Sequence, residues 1–282
     1  MPTEAGQAPA PHPVTGGLFV SPVPPGSGWP GDPADASTYA ARTADEVRRI
    51  ASSAQDVEAL QASISVCRAC PRLVEWRESV ARTGRRAAFA EQPYWGRPGP
   101  SFGDPHAQVL LVGLAPAANG TNRTGRMFTG DASGDFLYAA LHRTGWATQP
   151  QSTAAGDGQF LQGMRILAAV RCAPPQNKPT STERSTCAGW LERDLELASG
   201  DLQAIVCLGG LAWEATLSAV RGLSWRVPTP KPRFGHAVQV EVVASNGRSV
   251  RLVGSYHVSP HNTYTGRLTP DMLDEILISV RS

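Results

Sequence analysis

Four short apolar runs, separated by helical patterns, constrain this 282-residue chain more than any other feature. The runs cover residues 108–113, about 165–171, 203–208 and 251–256, and helical spacing occupies about 134–145, 182–198 and 211–219 between them. Strands that are apolar throughout are buried on both faces, and parallel strands need helical crossovers to join them. The alternation therefore predicts an α/β fold, a parallel sheet covered by helices on both sides. Between the third and fourth runs, His236 to Val243 and Ser249 to Val253 flank Asn246-Gly247, the signature of a hairpin turn.

The flanks are read in the same way. Val47, Ile50, Ala54, Val57, Leu60 and Ile64 have helical spacing from about Thr43 to Ser65. Pro71 ends that pattern, a short helix is expected from Leu73 to Ala81, and residues 82–107 form a long loop with Tyr94, Trp95 and Phe102. A closing helix is expected over Thr269 to Val280, capped by Thr269 with Pro270 in its first turn. Residues 1–36 are rich in Pro, Gly, Ala and Ser, too poor in apolar surface to fold alone. This predicts a disordered arm over 1–42 and a single domain over 43–282.

Charge and hydropathy narrow the class. No apolar run reaches the roughly 18 residues of a membrane span, and the N-terminus lacks the basic start and apolar core of a signal peptide, so a cytoplasmic protein is expected. Of 26 basic and 24 acidic residues, only three basic but seven acidic ones fall in residues 1–60. An acidic start on a basic body suits a polyanionic partner.

The chemistry concentrates in three loops after strand-like runs. The first, Gly113 to Asp135, reads GLAPAANGTNRTGRMFTGDASGD and carries two arginines, two asparagines, an aromatic ring and two acids. In open α/β sheets ligands bind beyond the carboxyl ends of the strands. The second, RCAPPQNKPT, presents Asn177, whose amide can read a base edge with paired hydrogen bonds. The third, SYHVSPHNTYTGR, gathers imidazoles, hydroxyls, an amide, an aromatic ring and Arg267, a set suited to phosphate contact and base stacking. Arg123, Arg126, Ser259, Asn262 and Arg267 are the candidate DNA contacts. No Gly-Lys-Ser/Thr, G-x-G-x-x-G or G-x-S-x-G is present, which argues against the common phosphate loops and a serine hydrolase elbow.

Five cysteines add a second site. Cys67 and Cys70 form a C-x2-C pair, and Cys172 and Cys187 follow as C-x14-C. Four thiolates suit tetrahedral zinc or an iron–sulfur cluster, and spacing does not choose between them. Cys207 lies inside an apolar strand and is read as core.

The strings GLAPAANGTNRTGRMFTGD, RCAPPQNKPT and SYHVSPHNTYTGRL, with the CRACPRL start and Cys187, resemble the family 5 (type B) uracil-DNA glycosylases. The resemblance runs from about Ile64 to the C-terminus. It implies a three-layer α/β/α sandwich around a four-stranded parallel sheet, with a [4Fe–4S] cluster on Cys67, Cys70, Cys172 and Cys187 outside the sheet. It implies a monomeric enzyme of the prokaryotic nucleoid that excises uracil, and other deaminated bases such as hypoxanthine, from DNA. By the same resemblance Asp131 positions the attacking water, Asn177 reads the uracil edge and Phe128 stacks on the flipped base. His257 stands near the leaving uracil, and the backbone of Gly113, Leu114 and Ala115 lines the base pocket. Asn119 departs from the family pattern, which commonly has histidine there.

The residues themselves agree with that chemistry. Breaking a glycosidic bond produces a cationic sugar and an anionic base, and the enzyme must also place a water. Leu114 to Ala118 offer no ionisable group, so the acid must be Asp131 or Asp135; spacing leaves both open, since either suits a helix start. No lysine nucleophile is evident, which predicts an abasic-site product. The rival reading is an iron–sulfur protein that binds damaged nucleic acid without turnover.

Overall fold

The structure, a computed structural model, describes residues 8–281. Two short strands, β1 (Ala10–Pro11) and β2 (Leu18–Phe19), open the chain. Helices α1 (Ala44–Ser53), α2 (Val57–Ser65) and α3 (Pro71–Arg82) follow. The α/β body contains β3 (Phe102–Gly103), β4 (Val109–Gly113), α4 (Thr121–Thr124), α5 (Ala132–Arg143) and β5 (Met164–Ala168). It continues with α6 (Ser181–Ala198), β6 (Ala204–Leu208), α7 (Gly210–Gly222), β7 (Gln239–Val243) and β8 (Ser249–Ser255). Helices α8 (Pro260–Thr263) and α9 (Pro270–Ser279) close the chain.

The main sheet has the order β3-β5-β4-β6-β8-β7. Its centre, β5-β4-β6-β8, is parallel throughout, while β3 and β7 pair antiparallel at the edges. The expectation of four strands thus holds for the parallel core and is corrected to six for the sheet. The missed edge β3 is two residues long and sits in a loop-like sequence, too short to show a period. The hairpin at Asn246-Gly247 joins β7 to β8 as expected, with Gly247 at φ 85°.

Side-chain alternation builds three layers. Val109 and Leu111 of β4 pack with Leu137 and Leu141 of α5 and Leu273 and Leu277 of α9. Leu110 and Val112 point the other way, into Leu191 and Leu195 of α6 and Trp213 and Leu217 of α7. Adjacent strand residues face opposite sides of a sheet, so a strand apolar at every position needs a helix on each face. A third cluster joins α1, α2 and α3 to α6 through Leu60, Ile64, Leu73 and Trp190.

Two further expectations need correction. The single helix over Thr43 to Ser65 is two helices, because Asp56 turns its carboxylate onto the amide of Ala59 at 2.8 Å and starts α2 afresh. The disordered arm over 1–42 does not hold for residues 8–42. His12, Phe19, Val23 and Trp29 are buried, and Trp29 meets Phe19 and Trp95 at ring separations of 5.1 and 6.1 Å. Asp32 receives two hydrogen bonds from the buried Arg97, at 2.6 and 2.8 Å. The arm has too few apolar residues for its own core, but Phe19, Val23 and Trp29 pack into one cluster with Trp95 and Ala155 of the body. Residues 1–7 of that expectation lie outside the described residues.

Candidate active site

The sheet winds from β4 outward to β5 and then returns across β4 to β6 and β8. At such a reversal the strand ends diverge and leave a crevice. A pocket with about 380 Å³ of atom-free space opens there. Gly113 at the end of β4 and Ala168 at the end of β5 form part of its wall with Ala115, Pro116 and Ala117. Thr121 of α4, Met127, Phe128 and Asp131 of the following loop, Ser133 of α5 and His257 after β8 complete it.

Two glycines shape this wall. A Cβ on Gly113 would stand 3.0 Å from the Phe128 ring, so the bare strand end lets the ring approach. A Cβ on Gly120 would stand 2.0 Å from Asp131 Oδ2. No side chain can occupy both places, so Gly120 is a condition for the position of Asp131. Phe128 itself has φ 50°, a conformation that costs a bulky residue energy and collects at functional sites.

Asp131 is the N-cap of α5, accepting the Gly134 amide at 2.9 Å. Burial pushes its carboxyl above the ordinary range, against the pull of the Gly134 and Ser133 amides, and the nearby charge of Asp135 pushes it further. Asp135 is exposed and does not line the pocket, so the choice left open by spacing falls on Asp131 for the pocket acid. His257 lies across from Phe128 with ring centroids 6.2 Å apart. Burial lowers its pKa, which favours a neutral imidazole. Its carbonyl accepts the Asn262 amide at 2.8 Å, so Asn262 holds the loop together.

The other candidates are distributed differently. Asn177 is exposed in a turn with φ 57° and does not line this pocket; neither does Leu114. The expectation that Arg123 and Arg126 contact DNA is overturned. Arg123 is buried, donating to Asn119 O, Gln92 Oε1 and Gly130 O and lying 3.9 Å over the Phe89 ring. Arg126 is buried in an ion pair with Asp157 at 2.5 Å and lies over the Phe102 ring. Their donors are spent on folding the loop. Ser259 caps α8 and is half-buried, while Arg267 is exposed with its guanidinium 4.6 Å over the Tyr256 ring. Asn119, the departure from the family pattern, accepts the Tyr94 hydroxyl at 2.9 Å.

Sequence reasoning missed Thr121, Met127, Ser133 and Ala168. Ser133 had a signal, since a capping Asp places the second helical residue beside itself. Met127 and Ala168 had none, because a pocket wall and a core look alike in one dimension.

The four candidate ligand cysteines surround a second cavity. Cys67 and Cys70, between α2 and α3, and Cys172 and Cys187, after β5 and on α6, line about 330 Å³ of atom-free space. Burial, then the charge of Cys172, pushes the Cys67 thiol up to about 11 and Cys70 up to about 12, and raises Cys187 as well. Arg77 and Arg171 are buried beside them; Arg77 donates to Cys172 Sγ at 2.9 Å, while its Nε and the Nε and Nη1 of Arg171 have no partner. A cavity of raised thiols and orphaned cationic donors fits a bound group that is positive at its metals and rich in acceptors. The thiols do not converge on one point: among the described residues, no three His, Cys, Asp or Glu side chains are grouped to hold a single ion. Cys207 is core, with its thiol 3.4 Å from Thr216 Oγ1.

No described helix is long and apolar enough to cross a membrane. A family profile described as Uracil DNA glycosylase superfamily matches residues 100–281, the sheet and all three loops. A protein of Mycobacterium bovis named type-5 uracil-DNA glycosylase is 56% identical over 265 residues, covering 94% of this chain and 96% of that protein. Namesakes from Thermus thermophilus and Pyrobaculum aerophilum are 47% and 44% identical, covering 80% and 75% of this chain and 97% and 86% of their own lengths. With an acid, an imidazole and an aromatic ring around one pocket at the switch of the sheet, the chain belongs to the uracil-DNA glycosylase superfamily.

Proposed function

We propose that the chain hydrolyses the N-glycosidic bond of uracil in DNA and leaves an abasic site. The observation that carries this reading is the joint placement of Asp131, His257 and Phe128 on one small pocket. A base reaches such a pocket only by leaving the helical stack. Phe128 then offers its ring as a stacking face, and Gly113 and Ala115 bring backbone close to the base edge.

As the bond breaks, its electron pair leaves with the base and positive charge spreads over the sugar. The Asp131 carboxylate stabilises that charge and orients a water whose oxygen bonds to the sugar carbon. A carboxyl raised by burial is a better acceptor for the water proton than an ordinary one. His257, kept neutral, donates an N–H to the anionic base, a preorganised donor where negative charge develops. The chain has two lysines; Lys178 is exposed outside the pocket and Lys231 is paired with Glu214. Neither reaches the sugar, so no Schiff base forms and the strand stays intact.

The pocket wall carries no side-chain amide, which favours tolerance of other deaminated bases such as hypoxanthine. Cys67, Cys70, Cys172 and Cys187 would hold a [4Fe–4S] cluster. When bound, it supplies metal–thiolate bonds that tie the α2–α3 connection to α6 and to the segment after β5; its role is structural. Iron and sulfide analysis of anaerobically purified protein tests this, and one zinc without iron refutes it.

The activity is tested by incubating a duplex carrying one uracil with excess protein and separating free bases by chromatography. Release of uracil with the strand intact is expected. Binding without release would support a damage-recognition protein instead.

A further inference from the structure

His257 sits on a loop whose other residues are held from outside the pocket. The segment before β7 crosses the end of β8: the Ala237 amide donates to Gly254 O at 2.8 Å and the Gly254 amide donates to Val238 O at 2.9 Å. A Cβ on Gly254 would stand 2.3 Å from Gly235 O, so this crossing is possible only over a glycine. The crossing brings His236 onto Tyr256, with ring centroids 4.9 Å apart and planes at 24°. The Tyr256 amide donates to His236 Nδ1 at 3.1 Å. Arg267 covers the same tyrosine ring, and Ser255 Oγ donates to the Tyr256 carbonyl at 3.0 Å.

We propose that His236 is a positioning residue for the reaction: by accepting the Tyr256 amide and stacking on its ring, it fixes the backbone that aims His257 into the pocket. The inference rests on His257 acting at the leaving base. An amide can only donate, so Nδ1 must keep its lone pair and the proton resides on Nε2. Burial lowers the His236 pKa, which keeps that lone pair free near neutral pH. The device is economical in geometry. Tyr256 is the residue immediately before His257, and the Asn262 bond fixes the carbonyl immediately after its ring, so both sides of His257 are tethered. His236 does not line the pocket and touches no reacting atom.

Misplacing a catalytic group by about 1 Å can cost on the order of a hundredfold in rate. The test compares single-turnover uracil excision for wild type, His236→Ala, His236→Asn, His257→Ala and the His236→Ala/His257→Ala pair, with a thermal melt of each. Asparagine keeps an acceptor near the Nδ1 position, so it is expected to recover most of a roughly tenfold loss seen with alanine. Binding of the uracil duplex should change far less than the rate. In the His257→Ala background the His236 substitution should add little, because residues that act through one another are not additive. The proposal is overturned if His236→Ala keeps the wild-type rate, if asparagine is no better than alanine, or if the two single losses multiply in the pair. Those outcomes leave the glycosylase reading intact, whereas a wild-type protein that releases no uracil overturns that reading first.

Discussion

Asp131 answers two demands that pull its carboxyl in opposite directions. As the cap of α5 it accepts helix amides, which favour the charge; half-buried in the pocket wall beside Asp135, it is pushed towards protonation, and desolvation wins. The role proposed for Asp131 needs the charged form, so the acid limb of the single-turnover rate should lie above the ordinary aspartate value of about 3.9. A limb at or below that value would contradict this account of the site. The stability sign follows from the same direction. A carboxyl whose folded pKa is raised costs the fold nothing below its unfolded pKa, and costs progressively more as pH rises towards the folded one. Asp131→Asn keeps a capping side chain without the charge. Its melting temperature should therefore equal or exceed that of wild type at pH 7, with the gap closing in acid, while excision is lost. Gly120→Ala gives the complementary result: the new methyl meets Asp131 Oδ2, so the rate should fall at least tenfold with the acid still present. A Gly120→Ala enzyme at full rate would show that Asp131 can move without penalty. Arg123 and Arg126 mark the limit of reading at this scale. In a sequence an arginine in a polar loop reads as a surface cation, and only the placement of Gln92 and Asp157, far along the chain, makes it an internal strut.

At the scale of elements, the parallel core was legible because a strand buried on both faces leaves an apolar run: β4 and β6 are unbroken, β5 is interrupted only by Arg165, and β8 keeps its apolar stretch after Arg251. The hairpin was legible from its turn chemistry. The N-terminal arm was not, because its stability comes from partners elsewhere: Trp29 rests on Trp95, its indole N–H reaches Thr124 O at 3.3 Å, and Asp32 reaches Arg97. Composition tests whether a segment can fold alone, not whether another segment covers it. Trp29→Ala should cost about 3–5 kcal/mol, as for other buried aromatic truncations. Asp32→Ala should cost a similar amount, about 3–5 kcal/mol, because it leaves the Arg97 guanidinium buried without its partner. Denaturant unfolding monitored by tryptophan fluorescence measures both. Changes below about 1 kcal/mol, the range of surface sites, would mean that the arm does not pack as described.

The whole molecule is organised around the carboxyl end of β4. The sheet supplies a rigid floor, the long loop to α5 brings Phe128 and Asp131 back over it, and β8 delivers His257 from the other side of the reversal. The thiol-lined cavity lies where α3 and α6 meet the segment after β5, so a group bound there would brace the loop that leaves β5. The position of the acid, 18 residues beyond Gly113, is the central claim, since the strand end itself carries none. The direct measurement is single-turnover cleavage of a uracil-containing duplex, followed by alkali to break the abasic site, for wild type, Asp131→Ala and Asp135→Ala. Wild type and Asp135→Ala should both yield a strand break at the uracil, with Asp131→Ala slower by about 10²- to 10⁴-fold. A full rate for Asp131→Ala, or a collapse confined to Asp135→Ala, would contradict the account.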